Sequence, residues 1–362
     1  MIKARRRAPL PALWLTALLT LASPGAAAAD PLKVGFVYVT PVSEAGWTHQ
    51  HELGRQAMAA ALGDRVETRY IEDVPEGGES ERVIRQLAAD GYGLIFTTSF
   101  GYMNPTVKVA RRFPQVIFEH ASGYKRDHNL GTYLARFYEG RYLAGIVAGK
   151  MTRSNVLGYV AAFPIPEVLR GINAYTLGMR SVNPGAQLKV IWTSSWLDPG
   201  REREAAQVLI TQGADVLTHH TDSSAVVQVA EEKGVYAVGY HSDMSSYGPR
   251  AQLTAVIHHW GALYTQLTRE VLEGSWHSRD IWGGIKEGMI SLAPLNPAVP
   301  QEVARLVAAQ EAAIRAGELH PFQGPLRNQD GVVMVAADRA MSDEELLQMQ
   351  WYVEGVQGRL PR

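Results

Sequence analysis

The pattern of apolar and polar positions predicts two successive halves, each built from short strands that alternate with amphipathic helices. The first half contains strands at 33–39, 66–71, 94–98 and 115–118 and helices at 47–62, 79–89, 103–112 and 137–150. The second half contains strands at 156–161, 187–192, 215–218 and 235–239 and helices at 167–181, 199–212 and 223–233. Two β-α-β-α-β halves predict an α/β protein with two doubly wound parallel sheets side by side.

Beyond Tyr240 the alternation becomes irregular, with a strand at 252–256, a helix at 258–273 and short strands at 281–285 and 289–292. We interpret 251–298 as a crossover and hinge region, and 299–362 as helical segments, with helices at 299–316 and 342–357. Ser342 and Glu345 have the spacing of a capping box, which predicts a helix start there. The predicted lobes are 30–150 and 151–250, and later segments return to the first lobe.

Residues 1–29 have the composition of a secretory signal peptide. A basic start, Lys3 to Arg7, precedes an apolar run of 13 residues, and Ala27 and Ala29 supply the small residues of a cleavage site. A membrane anchor is the alternative, but a bilayer span needs roughly 20 apolar residues. The chain has no cysteine, so no lipid can be attached at the cleavage site. The sequence predicts a soluble periplasmic protein that is not a lipoprotein.

Composition and motifs argue against several functional classes. The 362 residues include 35 basic and 36 acidic side chains, and loss of the basic leader leaves an acidic chain without a footprint for nucleic acid. The sequence lacks the nucleophile elbow, the dinucleotide fingerprint and the P-loop. Its neighbouring histidines, such as His49 and His51, do not share a helix face, so metal binding is weakly supported. We expect no cofactor, no metal and no catalysis.

Candidate ligand residues follow the predicted strands, because ligands of open α/β sheets bind beyond the carboxyl ends of the strands. Three aromatic side chains and three carboxylates lie near such positions: Trp47, Phe100, Trp196, Glu119, Asp222 and Asp243. Aromatic faces stack on planar rings, and carboxylates accept hydrogen bonds from amino, ring N–H or hydroxyl groups. The alternative is a core or hinge role for each aromatic residue and a capping role for Asp222 and Asp243.

Several blocks of the sequence resemble one known family. The blocks are Phe36–Tyr38 with Gly46–Thr48, Thr98–Tyr102, Phe118–His120, Gln252–Val256, and near the C-terminus Phe322–Pro325 and Asp330–Gly331. They are similar to the basic membrane protein (BMP) family, whose members are substrate-binding components of ABC importers. The resemblance runs from about Leu32 to Leu292. It implies a type I periplasmic-binding-protein fold and a purine nucleoside or nucleobase ligand.

The resemblance also implies roles for single residues. Trp47 stands where nucleoside binders place a phenylalanine, and Phe100 and Trp196 match positions that contact the ring. Asp243 resembles an acidic residue that holds ribose hydroxyls. Family members often carry a lysine where this chain has His258, a departure that favours a free base such as adenine over a nucleoside.

Tyr102, in the loop of Phe100, completes the candidate ligand set. The resulting prediction is a monomeric exported solute-binding protein that captures a purine-type ligand between two closing lobes and delivers it to an inner-membrane ABC permease. Three alternatives stay open. They are a periplasmic nucleoside hydrolase with Asp222 or Asp243 as general base, a subunit of a membrane receptor, and a sugar or another flat heterocycle as ligand.

Overall fold

The computed structural model describes residues 1–2 and 30–361. The predicted signal peptide therefore falls almost entirely outside the described residues. Pro31–Arg362 forms one compact unit, so the predicted lobe boundaries at 150 and 250 stay a prediction. Among the described residues, no helix combines the length and the apolar character needed to cross a bilayer.

Strands and helices alternate along the chain. The strands are β1 (Leu32–Val37), β2 (Val66–Ile71), β3 (Leu94–Thr97), β4 (Ile117–Ala121), β5 (Leu130–Ala135), β6 (Val156–Ala161), β7 (Gln187–Trp192), β8 (Val216–His219), β9 (Tyr236–His241), β10 (Gln252–His258), β11 (Asp280–Gly283), β12 (Ile290–Leu292), β13 (Leu326–Arg327), β14 (Val333–Val335) and β15 (Val356–Gln357). The helices are α1 (Trp47–Leu62), α2 (Gly78–Ala89), α3 (Met103–Arg112), α4 (Phe137–Met151), α5 (Pro166–Val182), α6 (Pro199–Thr211), α7 (Ala225–Lys233), α8 (Gly261–Leu272), α9 (Gln301–Ala316) and α10 (Asp343–Leu347).

Two main sheets organise the molecule. The first has the strand order β11-β5-β4-β3-β1-β2 and is parallel throughout. The second has the order β12-β10-β9-β8-β6-β7-β15 and is parallel except for the edge pair of β10 and β12. We call each sheet with the helices packed on it a lobe, the first lobe and the second lobe. The predicted pair of doubly wound parallel sheets is confirmed.

The chain crosses between the lobes three times. It leaves the first lobe after β5, because α4 packs on α5 and β10. It returns after β10, because α8 packs on α1 and β11 pairs with β5. It crosses again between β11 and β12. These crossings connect the two lobes, and the hinge role of 251–298 stays a prediction.

The C-terminal region is less helical than predicted. The helix predicted at 342–357 ends at Leu347, and the rest of the segment is held by side chains of α5. The Nη1 of Arg170 donates to the carbonyl of Leu346 at 2.7 Å, and the Nδ2 of Asn173 donates to that of Trp351 at 2.8 Å. These bonds give partners to backbone groups that a helix would have paired internally.

Apolar packing is continuous between the lobes. The largest core cluster contains residues of both sheets, including Phe36 and Phe96 of the first and Tyr159 and Val238 of the second. Smaller clusters lie on the outer faces, under α2 and α3 in the first lobe and under α6 and α7 in the second. Residues that follow the carboxyl ends of strands in both sheets line one shared cleft.

Candidate functional site

A cleft lies between the carboxyl ends of the two sheets, the place where ligands of open α/β sheets bind. The first lobe lines it with Val39, Trp47, Ser99, Phe100 and Ser122. The second lobe lines it with Ile165, Glu167, Trp196, His220, Asp222 and His241. The cleft is thus bounded from both lobes, as the end-of-strand positions predict.

The three predicted aromatic residues meet in this cleft. Trp47 opens α1, and its Nε1 donates to the carbonyl of Thr98 at 2.7 Å. Trp196 follows β7, and its Nε1 donates across the cleft to Glu76 at 3.2 Å. Phe100 lies in a 3₁₀ turn after β3. Both indole N–H groups already have protein acceptors, and all three rings line the cleft. Their contact with a ligand stays a prediction.

A buried carboxylate and imidazole form the polar part of the cleft. Ser122 of the first lobe donates its hydroxyl to Glu167 at 2.6 Å, and His220 Nε2 lies 3.6 Å from the other carboxylate oxygen. Burial raises the pKa of Glu167, but His220 and the Ser122 hydrogen bond outweigh it and hold the pKa below its usual range. Burial lowers the pKa of His220 more than Glu167 raises it. At neutral pH the pair is an ionised carboxylate beside a neutral imidazole.

Two histidine nitrogens that belong to the cleft lining lack protein partners. The Nδ1 atoms of His220 and His241 are buried and make no hydrogen bond within the protein. Both nitrogens are therefore available for a hydrogen bond to a ligand or a water molecule in the cleft. His241 also has a φ of 67°, and Ser122, at the end of β4, has a φ of 62°. Backbone strain of this kind concentrates at binding sites.

Asp222 joins the lobes instead of facing the cleft with free oxygens. Its carboxylate accepts hydrogen bonds from the hydroxyl of Thr40 and from the backbone N–H groups of Trp47 and Thr48. Burial raises the pKa of Asp222 to about 7, although those hydrogen bonds oppose the shift. Nearby, the Oγ of Ser242 accepts from the N–H of Gly46 at 2.9 Å. These hydrogen bonds connect the two lobes directly in this structure.

Glu119 and Tyr102 lie inside the first lobe and do not line the cleft. Glu119 is buried in β4 and accepts a 2.8 Å hydrogen bond from the indole of Trp276. Burial raises its pKa to about 8. Tyr102 is fully buried and donates its hydroxyl to the carbonyl of Val74. A ligand contact by either residue stays a prediction without support from this geometry.

Asp243 and His258 also lie outside the cleft lining. Asp243 is exposed and accepts hydrogen bonds from the N–H of Ser245 at 2.9 Å and from Gln252 at 2.7 Å, which is the capping alternative. His258 is fully buried at the hinge, stacked on Phe137 with ring centroids 4.3 Å apart. The predicted ligand roles of these two residues likewise lack geometric support.

The sequence analysis missed Glu167, His220, His241 and Ser122. A usable signal existed for Glu167, because it follows the first strand of the second half and comes directly after Pro166 at a helix start. The histidines follow strands β8 and β9, yet nothing in the sequence pairs His220 with Glu167. Among residues 1–2 and 30–361, no group of three or more His, Asp or Glu side chains is arranged to hold a metal ion.

Two α/β lobes that close on a cleft lined from both sides define a two-lobed solute-binding protein. The sequence model of the Bmp family, described as ABC transporter substrate-binding protein PnrA-like, matches residues 32–319. The chain belongs to this family, which confirms the resemblance seen in the sequence blocks.

Relatives agree with this assignment, and a solved structure has the same fold. The chain is 50% identical to a purine-binding protein of Brucella abortus (strain 2308), over 92% of this chain and 95% of that protein. It is 41% identical to a Haloferax volcanii protein proposed to be an ABC transporter glucose-binding protein, over 93% of this chain and 83% of that protein. A solute-binding protein structure from Aeropyrum pernix K1 superposes with a TM-score of 0.69 at 19% identity, covering 85% of this chain and 95% of that chain. The predicted type I periplasmic-binding-protein fold is confirmed.

Proposed function

We propose that this protein captures a purine in the periplasm and delivers it to the inner-membrane permease of an ABC importer. The cleft lined by Trp47, Phe100 and Trp196 carries the proposal, because three aromatic side chains from two lobes can enclose a flat ring. Stacking of a base on such rings contributes ~1–3 kcal/mol per base. The 50% identity to the Brucella abortus purine-binding protein supports the same ligand class.

The polar groups of the cleft suit the edge of a purine. The ionised Glu167 accepts hydrogen bonds from an exocyclic amino group or a ring N–H. The free Nδ1 atoms of His220 and His241 can accept or donate, according to the tautomer. A hydrogen bond to a charged group contributes about 1.5–3 kcal/mol, so Glu167 orients the ring while the aromatic residues hold it.

We further propose that a free base, with adenine as the first candidate, binds more tightly than its nucleoside. Asp243, the residue that the resemblance assigns to ribose hydroxyls, is exposed, and its carboxylate accepts hydrogen bonds from Ser245 and Gln252. The oxygens of Asp222 already accept three protein hydrogen bonds. Within the described lining this leaves Glu167 as the carboxylate available to a ligand, and we assign it to the edge of the base and not to a ribose.

The protein is proposed to perform no chemistry on its ligand. A riboside hydrolase would need a free general base, and both Asp222 and Asp243 are engaged by protein donors. Incubation with inosine is expected to release no free base. Release of hypoxanthine at a rate that scales with protein concentration would contradict this part of the proposal.

Isothermal titration calorimetry at pH 7 tests the ligand class and the base preference together. Adenine, adenosine, guanine, guanosine and glucose are titrated into protein that has been unfolded, dialysed and refolded to remove co-purified ligand. We expect adenine to bind at least ~10-fold more tightly than adenosine, a difference of about 1.4 kcal/mol. Nucleosides that bind tenfold more tightly would overturn the base preference alone. Binding of glucose without binding of any purine would overturn the ligand class.

The proposed location has its own test. Removal of residues 1–29 leaves Asp30 as the mature N-terminus, because Ala27 and Ala29 form the small-x-small cleavage site. Osmotic-shock release followed by N-terminal sequencing checks this expectation. Recovery of the protein with its leader in the cytoplasmic fraction would contradict it.

A further inference from the structure

The start of α1 cannot cap itself. The N-cap residue is Gly46, with φ 106° and ψ −170°, and no side chain of its own segment accepts from the first turn. The leading N–H groups of a helix have no partner within the helix and need acceptors from elsewhere. Helix α6 shows the ordinary solution, because its N-cap Asp198 accepts from the N–H of Arg201 at 3.0 Å.

The acceptor for α1 comes from the opposite lobe. Asp222, in the loop after β8, accepts from the backbone N–H groups of Trp47 and Thr48 and from the hydroxyl of Thr40. Its side chain is almost completely buried there. A negative carboxylate at a helix N-terminus is also favoured by the helix dipole. The cap of α1 is therefore complete only when the two lobes are together.

Neighbouring residues fit the same contact. Ser242 of the second lobe accepts from the N–H of Gly46 at 2.9 Å and from the Nε2 of Gln50 at 2.9 Å. A Cβ atom at position 46 would collide with the Asp222 carboxylate, so glycine is what permits the approach. In this contact, Gly46 of the first lobe leaves room for the side chains of Asp222 and Ser242 of the second lobe.

We propose that Asp222 and Ser242 form a latch that caps α1 from the opposite lobe and thereby populates the closed state before ligand binds. This inference rests on the proposed function only in assuming that the cleft closes on a ligand. Asp222 is a positioning residue in this account, since it fixes the first turn of α1, where Trp47 presents its ring to the cleft. Opening exposes the N–H groups and the carboxylate to water, and the interaction is lost.

The latch sets ligand affinity without a ligand contact. When only a fraction of the protein is in the binding-competent state, the apparent dissociation constant rises in inverse proportion to that fraction. A latch that favours closure therefore tightens binding of any ligand that the closed cleft accepts. Removing it weakens all such ligands by the same factor, whereas removing a ligand contact weakens them selectively.

Distance measurements between the lobes test the latch. Because the chain has no cysteine, Arg85→Cys on exposed α2 and Gln207→Cys on exposed α6 give one spin label per lobe. Double electron–electron resonance at pH 7.5 then gives the interlobe distance distribution without ligand and with saturating adenine. The variants are Asp222→Ala, Asp222→Asn and Ser242→Ala. Asp198→Ala is the matched control, because it removes a helix cap within one lobe.

Without ligand, Asp222→Ala should lower the ratio of closed to open molecules by ~10-fold, roughly the effect of one hydrogen bond on an equilibrium. Asp222→Asn keeps an acceptor oxygen for the N–H groups and should recover the closed population. Asp198→Ala should leave the distances unchanged. Should Asp222→Ala fail to fold, Ser242→Ala tests the same latch with a smaller shift toward the open state.

Equal distance distributions for the labelled parent, Asp222→Ala and Ser242→Ala would overturn the latch, even if adenine binds. An equal shift in Asp198→Ala would also overturn it, because loss of any cap would then suffice. If adenine fails to bind but the variants still differ without ligand, the latch is supported and the proposed ligand is wrong.

Discussion

The two walls of the cleft differ in chemistry. The first lobe contributes the rings of Trp47 and Phe100 with two serine hydroxyls and a valine, whereas the second contributes Glu167, His220, Asp222 and His241 beside Trp196. Every ionisable side chain in the described lining thus comes from the second lobe. In the first lobe, two ionisable residues of β4, Glu119 and His120, are buried within the lobe itself.

This difference separates two parts of recognition. Stacking on the first wall depends on the flat shape of the ligand and not on its protonation, because the rings carry no titratable group. In the proposed function, the second wall accepts hydrogen bonds from donors of the ligand and is expected to determine how binding varies with pH. Substitutions on the two walls should therefore have different effects. Those on the first wall should weaken the binding of all flat ligands, and those on the second should reduce discrimination between ligands with different hydrogen-bonding groups.

The largest expected effect comes from the stacking wall. Trp47→Ala should weaken adenine binding by about 1–3 kcal/mol, roughly 5- to 150-fold, for adenine and guanine alike. Trp351→Ala is the matched control, because Trp351 lies in the C-terminal segment away from the cleft. Calorimetry gives the affinities and thermal melting gives the stabilities. A Trp47→Ala protein that is strongly destabilised yet binds normally would assign Trp47 to the core instead.

A smaller and selective effect is expected on the ionisable wall. Glu167→Gln keeps the shape of the side chain and replaces a charged acceptor with a neutral one, a change worth about 1 kcal/mol or ~5-fold in affinity. The loss should differ between adenine and guanine, whose edges present different donors and acceptors. Glu119→Gln, a buried carboxylate in the first lobe, is the control with unchanged affinity. Equal losses for both bases would remove Glu167 from base recognition.

The pH dependence of closure follows from Asp222. Its pKa is about 7 in the closed state against a usual 3.8, so closure takes up a proton between these values. The equilibrium constant for closure is therefore largest at low pH. It falls by at most ~10-fold per pH unit as the pH rises toward about 7, and it is constant above that pH.

The variant Asp222→Asn isolates this contribution, because the lowered pKa values of His220 and His241 act in both proteins. Adenine affinity of the parent relative to Asp222→Asn should fall from pH 5.5 to 7.5 and then level off. Calorimetry across this range measures the ratio. A ratio that rises with pH or stays flat would show that Asp222 does not take up a proton on closure.

The smallest effect on binding is expected from Glu119, which should alter stability alone. Burial raises its folded-state pKa to about 8 from a usual 4.5, so its contribution is fully present below 4.5 and is lost as pH rises through about 8. Glu119→Gln should make stability less dependent on pH. The melting temperature at pH 8, taken relative to that at pH 5, should be several degrees higher in the variant than in the parent. Melting curves at both pH values check it. A steeper dependence in the variant would contradict the buried, protonated carboxyl.

The sequence predicted the aromatic wall better than the ionisable one, for a physical reason. Their positions after strands predicted Trp47, Phe100 and Trp196 as cleft residues, and the structure places all three in the lining, while their contact with a ligand stays a prediction. Glu119 was selected because the strand was predicted to end at Phe118, but β4 continues to Ala121. Alternation along the strand then turns the carboxyl into the lobe.

Strand β10 is also longer than predicted, because it runs through His258 instead of ending at Val256. Strand β5 was not predicted at all, although its pairing with β4 and β11 is evident in the structure. Contacts between distant residues, such as Glu167 with His220 and Asp222 with the start of α1, depend on how the lobes close. No local pattern in one sequence encodes them.

The most direct test of the two-wall account is a crystal structure of the protein with adenine. The account predicts the purine ring in the cleft, with its face on Trp47, Phe100 or Trp196, and its edge within hydrogen-bond distance of Glu167 and of His220 or His241. Asp222 should still accept from the start of α1 and leave the ring untouched. Adenine bound outside this cleft, or held there by Asp222 with α1 uncapped, would contradict the account.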